Sequence, residues 1–216
     1  MEYTLIRSAR KTLAVEISRT GEVIVRAPRT LSRERIESFL LKKADWIART
    51  VQKQMTAYRV PEPLCEGSIV WLFGVPYSIC CGETPGFLTD RVVVSKDAPI
   101  EPQIRALLIA QANKVLKERT MTLAQTFDFS VAGVKITHAQ KRFGSCSSKR
   151  TICLSFRLAA APFTLIDAVI LHELCHTVHM NHGKAFYDLL LRILPDYRTR
   201  HRLLCDVWLP RFFCGE

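Results

Sequence analysis

The sequence has no long apolar run. A transmembrane helix needs about eighteen consecutive apolar residues, whereas the most apolar stretch, residues 158–171, is shorter and contains Asp167. Near the start of the chain, Glu2 and Arg7 occupy the positions where the apolar region of a secretory signal would begin. We therefore expect a cytoplasmic protein without a membrane partner.

The sequence also has no pair of cysteines at metal-binding spacing. None of the eight cysteines forms a C-x2-C pair, which argues against a cysteine zinc site. Their irregular spacing, in a chain without a secretory signal, argues against a disulfide framework. We expect most of them to be small buried apolar residues. The eight are Cys65, Cys80, Cys81, Cys146, Cys153, Cys175, Cys205 and Cys214.

Basic residues are in clear excess. The chain has 31 Lys and Arg against 20 Asp and Glu, a net charge of +11, and such a surface can bind nucleic acid or another acidic partner. The basic residues are spread along the chain, however, and no aromatic-interleaved recognition motif accompanies them. We expect a solvated basic face and keep nucleic-acid binding as the alternative.

The composition and the order of the elements predict an α+β fold. An apolar fraction of 48% over 216 residues suits one globular domain, or one domain with a smaller appendage. The proline-rich segment 60–67 is the candidate boundary. It separates an N-terminal region with a β-hairpin and a helix, residues 1–62, from a larger domain, residues 63–216, although the two can also form one continuous unit.

Hydrophobic periodicity places the individual elements. The first thirty residues are predicted as antiparallel strands, and Ser32 as the start of a helix that runs to about Met55. Two more long helices are expected, one at about 103–125 and one opened by Pro162 and Thr164. Further strands are predicted at 69–73, 77–81, 91–94, 131–136 and 151–156, with a polar loop at 140–150.

The third helix carries the motif His172-Glu173-Leu174-Cys175-His176. Residues four apart lie one above the other on a helix, so both histidines can face one ion, and two neutral imidazoles suit zinc. Glu173, about 100° further round the helix, can reach a water molecule beside the ion and accept its proton. The alternative, two hydrogen-bonded core histidines, does not explain why four of the six histidines fall within eleven residues.

Catalytic zinc usually has three protein ligands, and His182 is the preferred candidate for the third. On a straight helix His179 would share the face of the first two, but it would lie about 10 Å along the axis from His172. His182 requires the chain to turn first, and Asn181 and Gly183 favour such a turn.

Other assignments of the third ligand stay open at this point. The spacing H-E-x-x-H-x5-H equals that of the H-E-x-x-H-x-x-G-x-x-H metalloproteases, but His179 occupies the glycine position, so the turn geometry of that group does not follow. His179 itself is one alternative ligand. A carboxylate further along the chain, Asp188 or Asp196, is another.

Several segments resemble the YgjP-like metallopeptidases, bacterial relatives of the SprT-type and WLM domains. They are the histidine motif, Arg142-Phe143-Gly144-Ser145-Cys146-Ser147 and Asn181-His182-Gly183-Lys184-Ala185-Phe186. Residues 7–28, 36–46 and 195–197 also resemble the family, so the likeness covers nearly the whole chain. One difference is Phe143, at a position where the family usually has tryptophan.

The resemblance implies a zincin-like catalytic core with the H-E-x-x-H helix, preceded by a β-rich N-terminal region and a long helix. It implies His172, His176 and His182 as the metal ligands and Glu173 as the catalytic base. The hypothesis is therefore a zinc metallopeptidase acting on a peptide or protein substrate. The rival hypotheses are a zinc-stabilised nucleic-acid-binding module, a protease recruited to nucleic acid, and a zinc amidohydrolase acting on a small molecule.

Other roles around the site are less specific. The strand at 151–156 could offer an edge to an extended peptide, and a packed interior strand is the alternative. Three side chains could donate a hydrogen bond to the transition state, and a structural or surface role is the preferred alternative for each: His138, Tyr187 and Tyr197. Cys175 is expected to pack and not to act as a nucleophile.

Overall fold

The computed structural model describes residues 2–18, 20–57, 63–140 and 142–208. The chain divides into two compact units, residues 1–61 and 62–216, and each has a hydrophobic cluster of its own. Within the described residues, no helix combines the length and the apolar character that crossing a membrane requires. The mixture of helices and sheets confirms the predicted α+β class.

The first unit is a three-stranded sheet with two helices. The strands are β1 (Thr4–Ser8), β2 (Ala14–Ile17) and β3 (Val23–Pro28), in the order β1-β3-β2. β2 pairs antiparallel with β3 as predicted, but β1 pairs parallel with β3, so the prediction was wrong for the first strand. Alternation of apolar and polar residues identifies a strand, but it does not specify which neighbour the strand pairs with or in which direction.

The predicted helix from Ser32 is two helices, α1 (Arg33–Lys42) and α2 (Ala44–Ala57). The Ser32 hydroxyl caps α1 by accepting the N–H of Arg35. Lys43 leaves the helical conformation between the two helices. The sequence did not predict this break at Lys43, because no Gly or Pro lies there and the helical spacing of apolar residues continues across it. Buried side chains of both helices and of β3 form the core of this unit: Val23, Val25, Ala27, Ile36, Leu40 and Ile47.

The second unit contains a four-stranded sheet, a three-stranded sheet and the remaining helices. The larger sheet has the order β4-β5-β7-β6, with the two-residue β6 too short for its pattern to be recognised in the sequence. The smaller sheet has the order β8-β10-β9. The strands are β4 (Ile69–Leu72), β5 (Val75–Cys81), β6 (Gly86–Phe87), β7 (Arg91–Val94), β8 (Gly133–Thr137), β9 (Gly144–Cys146) and β10 (Thr151–Ser155).

The described part of the second unit also contains four α-helices. The longest helix has a buried residue at every fourth position from Ile104 to Ala124. These residues form the stripe that packs into the core. A short 3-10 helix, Phe156–Ala160, follows β10, and a π-helical turn, Leu204–Trp208, follows the last α-helix. The helices are α3 (Ile100–Thr126), α4 (Phe163–Cys175), α5 (Lys184–Ile193) and α6 (Tyr197–Leu203).

The smaller sheet corrects the prediction of a peptide-binding edge. β10 is the central strand, paired parallel with β8 and antiparallel with β9, so its backbone groups are already used and the packed-interior alternative is correct. β9 lies inside the segment that was predicted to be a polar loop. In the part of the chain that the structure describes, β9 pairs with β10 alone and so forms an edge of the sheet.

The cysteines are less buried than the sequence suggested. All seven in the described residues are free thiols, which agrees with the expected absence of a disulfide framework. Only Cys175 among them is buried; Cys65 is exposed and the other five are half-buried. Cys214 lies outside the described residues.

Candidate metal centre

α4 brings the histidine motif into the core because it is apolar on nearly every side. Pro162 precedes its first turn, where a missing N–H costs no helical hydrogen bond. The one charge in its apolar stretch, Asp167, is paired with the Arg119 guanidinium of α3, and that guanidinium also lies 4.6 Å from the ring centroid of Phe163. The helix is thus anchored on α3 upstream of the motif.

The chain turns earlier than predicted. α4 ends at Cys175, and His176 is its C-cap. The following peptide groups close turns on the helix end, with the N–H of His179 donating to the Cys175 carbonyl. Neither Asn181 nor Gly183 adopts a positive φ, so the left-handed conformation that both residues tolerate is not used in this turn. These hydrogen bonds reverse the chain without such a residue.

The structure brings together His172 of α4, His176 at the end of α4 and His182 just before α5. The Nε2 atom of His182 lies 3.0 Å from that of His172 and 3.1 Å from that of His176. The candidate ligand atoms of the three residues all lie within 4.8 Å of one another. In the described residues this is the only group of three or more His, Cys, Asp or Glu side chains so arranged.

The Nε2 atom of His182 lies 3.0 and 3.1 Å from the other two Nε2 atoms, slightly closer than two ligands of a bound ion in a tetrahedral site. Zinc–nitrogen bonds of about 2.0–2.1 Å place two tetrahedral ligands about 3.3–3.4 Å apart. Nδ1 of His176 lies 3.0 Å from the carbonyl oxygen of His179, which can only accept, so this hydrogen bond assigns the proton to Nδ1. The lone pair of Nε2 therefore points towards the other two imidazoles, and a cation between the rings would stabilise the arrangement.

The surroundings of His172 and His176 favour the neutral imidazole, which is the form that binds a metal. Burial, with smaller contributions from His176 and His182, lowers the pKa of His172 to about 3. Burial also lowers the pKa of His176, although its bond to the His179 carbonyl acts in the opposite direction.

Phe186 of α5 supports all three rings. It is fully buried, and its ring centroid lies 5.0 Å from that of His172, 4.5 Å from that of His176 and 4.9 Å from that of His182. In the sequence, Phe186 stands out only as part of the segment that resembles the family. Its role follows from the reversal of the chain, which folds α5 back onto the end of α4.

Glu173 lies beside the cluster and is almost completely buried, with 6% of its surface exposed. Burial raises the pKa of this carboxyl group to about 7, and the positive charge of Arg142 acts in the opposite direction. A cation bound to the histidines would lower this pKa again. The side chain is therefore a candidate to accept a proton near neutral pH.

Gly144 of β9 provides the space that Glu173 occupies. A Cβ atom on Gly144 would lie 2.6 Å from Oε1 of Glu173 and 2.7 Å from its Cγ, far inside van der Waals contact. Gly144 belongs to the motif that resembles the family, but the sequence does not predict its contact with Glu173, because that contact depends on how β9 packs against α4.

Gly144→Ala is expected to displace the Glu173 carboxylate while the fold survives, since the clash falls on a side chain and not on backbone. A misplacement of about 1 Å can cost on the order of 10²-fold in rate. We expect turnover to fall by about that factor, with the metal content unchanged. Gly133→Ala in β8 is the control, because nothing lies within 4 Å of its Cβ position. Equal activity of the two variants would contradict the assignment.

The other candidate ligands lie outside the cluster. The His179 carbonyl contacts His176, but the His179 side chain is not part of the cluster. The carboxylates of Asp188 and Asp196 pair with Lys184, at 2.6 Å, and with Arg200, at 2.8 Å.

The three candidate donors to the transition state differ in the groups that they contact. The Tyr197 hydroxyl lies 2.9 Å from Nδ1 of His172, so it contacts the back of a ligand. The ring centroid of Tyr187 lies 6.2 Å from that of His182, whereas His138 packs against a core phenylalanine 5.7 Å away. Burial raises the pKa of Cys175 to about 12, which agrees with the expected packing role.

Comparison with known proteins gives one match. The family described as YgjP-like, metallopeptidase domain, matches residues 11–206. Searches of curated proteins and of solved structures gave no match.

Proposed function

The chain belongs to the YgjP-like metallopeptidase family, and from this membership we propose that it is a zinc-dependent peptidase of zincin-like architecture. The observation that supports the proposal best is the convergence of three imidazole Nε2 atoms, 3.0 and 3.1 Å apart, beside the buried carboxylate of Glu173. Three nitrogen ligands and a fourth position left for water or substrate are typical of catalytic zinc and not of a closed structural site.

The proposed reaction is hydrolysis of a peptide bond. His172, His176 and His182 would hold the ion, which, when bound, polarises the scissile carbonyl and makes water more acidic. Glu173 accepts a proton from the attacking water as the C–O bond forms. It then delivers that proton to the departing nitrogen as the C–N bond breaks, so that a carboxylic acid and an amine leave the site.

β9 is the proposed binding edge for the substrate. Its Gly144 faces Glu173, and within the described strands its outer edge has no partner. An extended peptide could add to this edge through main-chain hydrogen bonds. The strand runs directly beside the proposed base, so a peptide on it would pass the metal.

The distribution of charge supports nucleic acid as a second partner. Residues 1–61 contain thirteen basic and six acidic residues, a net charge of +7 out of the +11 of the whole chain. In this unit the Lys43 ammonium lies 5.7 Å from the ring centroids of both Phe39 and Trp46, and 44% of Trp46 is exposed. Exposed aromatic rings beside cations bind single-stranded nucleic acid by stacking and charge. We propose this unit as the site of such binding.

Metal analysis and a peptide-library assay on the full chain test the proposed function together. We expect about one equivalent of zinc per chain, hydrolysis that a chelator abolishes, and recovery when zinc is restored. Bound zinc without hydrolysis of any peptide, combined with nucleic-acid affinity that falls steeply with salt, would instead identify a zinc-stabilised binding module. Hydrolysis of small amides alone would identify an amidohydrolase.

A further inference from the structure

His172 and His176 differ in the group that contacts the ring nitrogen facing away from the proposed ion. For His176 it is a backbone carbonyl, that of His179, at 3.0 Å. For His172 it is a side chain, the hydroxyl of Tyr197 in α6, at 2.9 Å. Tyr197 is therefore an outer contact of the cluster that a substitution can remove without changing the backbone.

Tyr197 is fixed in place independently of this hydrogen bond. Only 7% of its surface is exposed. Its ring stacks on that of His172, with centroids 5.6 Å apart and planes inclined by 19°, and it also lies 5.6 Å from the ring of His201. The packing thus holds the hydroxyl on Nδ1 of His172 and away from the side where the three Nε2 atoms meet.

The direction of the hydrogen bond follows from the position of the ligand nitrogen. If Nε2 of His172 gives its lone pair to a metal, the ring proton is on Nδ1, and Nδ1 donates to the Tyr197 oxygen. Such a contact selects the tautomer that binds the metal, limits rotation of the ring and increases the electron density at Nε2.

We propose that Tyr197 is a positioning residue of the metal centre: its hydroxyl holds His172 in the orientation and tautomer that bind the ion, and so strengthens metal binding. This inference rests on the histidine ligands of the proposed function. It differs from the role in transition-state stabilisation that the sequence left open for Tyr197, because metal affinity is a property of the protein without substrate.

Tyr197→Phe tests the proposal, because it removes one oxygen and keeps the ring that packs on His172. We expect the variant to bind Zn²⁺ about 10- to 100-fold more weakly, measured by competition with a chromophoric chelator. Tyr187→Phe is the matched control, since it removes a tyrosine hydroxyl near the same cluster and should leave the affinity unchanged.

The absorption spectrum of the Co²⁺-loaded protein at saturating metal provides a second measurement. It reports the geometry and basicity of the ligands that remain bound, so a loss of folding stability alone would not change it. We expect Tyr197→Phe to shift the visible bands and Tyr187→Phe to preserve them.

Unchanged Zn²⁺ affinity and an unchanged Co²⁺ spectrum in Tyr197→Phe would overturn the proposal. A lower kcat with wild-type affinity would also overturn it and assign Tyr197 to the transition state. A wild-type protein that binds zinc but cleaves no peptide would refute the proposed function, yet the affinity of Tyr197→Phe would still decide this inference.

Discussion

Glu173→Gln is expected to retain zinc and to lower kcat for peptide hydrolysis by about 10²- to 10⁴-fold, the usual contribution of a positioned general base. The amide has nearly the shape of the carboxyl group, so the histidines and β9 should keep their positions. It cannot accept a proton from water, however. Metal content, measured on the same preparation as kcat, separates this loss from a loss of zinc.

The stability of the metal-free protein gives an internal control. Burial raises the pKa of Glu173 from its ordinary value of 4.5 to about 7, so the folded state binds more protons than the unfolded state between these values. Ionisation of the group therefore costs stability as the pH rises through this window. Glutamine removes that cost, and the metal-free variant should unfold at the same or a higher temperature than wild type at neutral pH.

Glu118→Gln serves as the matched substitution, because Glu118 is an exposed residue of α3. It should retain both zinc and turnover. Undiminished hydrolysis by Glu173→Gln would show that Glu173 is not the base and that another group at the site accepts the proton.

The parts of the site that lie close together along the chain could be predicted from the sequence. His172, Glu173 and His176 share one helix, so their relative placement follows from helical geometry alone. The choice of His182 over His179 needed only the argument that three rings on one straight helix cannot converge. The structure brings the preferred third residue to the cluster, although the chain reverses by turn hydrogen bonds at the end of α4 and not by a left-handed Asn181.

The parts of the site that depend on packing between distant segments were not accessible. Gly144 lies beside Glu173 because β9 packs against α4, and Phe186 touches the rings because α5 folds back on them. Tyr197 was recognised as a polar aromatic residue, but the atom that it contacts is 25 residues away in the chain. Nothing in a periodic pattern encodes such contacts, which is also why the sequence left open whether β10 is an edge or an interior strand, and why β9 was predicted as a loop.

His182→Ala is expected to lose zinc on dialysis and, with it, all peptidase activity. Two imidazoles remain, one short of the three protein ligands that catalytic zinc usually has, and Nε2 of His182 is the atom that lies within 3.1 Å of both others.

The fold should survive the substitution, because His182 is exposed and lies in the turn before α5. Removing it leaves no buried cavity, so the melting temperature of the metal-free protein should change little. Zinc content after dialysis and the melting temperature of the chelator-treated variant are therefore the two measurements, and only the first should differ from wild type.

His179→Ala is the control for the His182 substitution, because its side chain is three residues away and outside the cluster while its backbone carbonyl, the acceptor for His176, is kept. It should bind zinc as wild type does. The opposite result, with zinc kept by His182→Ala and lost from His179→Ala, would assign the third ligand to His179. Loss of zinc from Asp188→Asn or Asp196→Asn alone would place that ligand on a carboxylate. Since the ion can be held only where three donor atoms meet, the pattern of metal loss across these four variants identifies the third ligand without reference to any substrate.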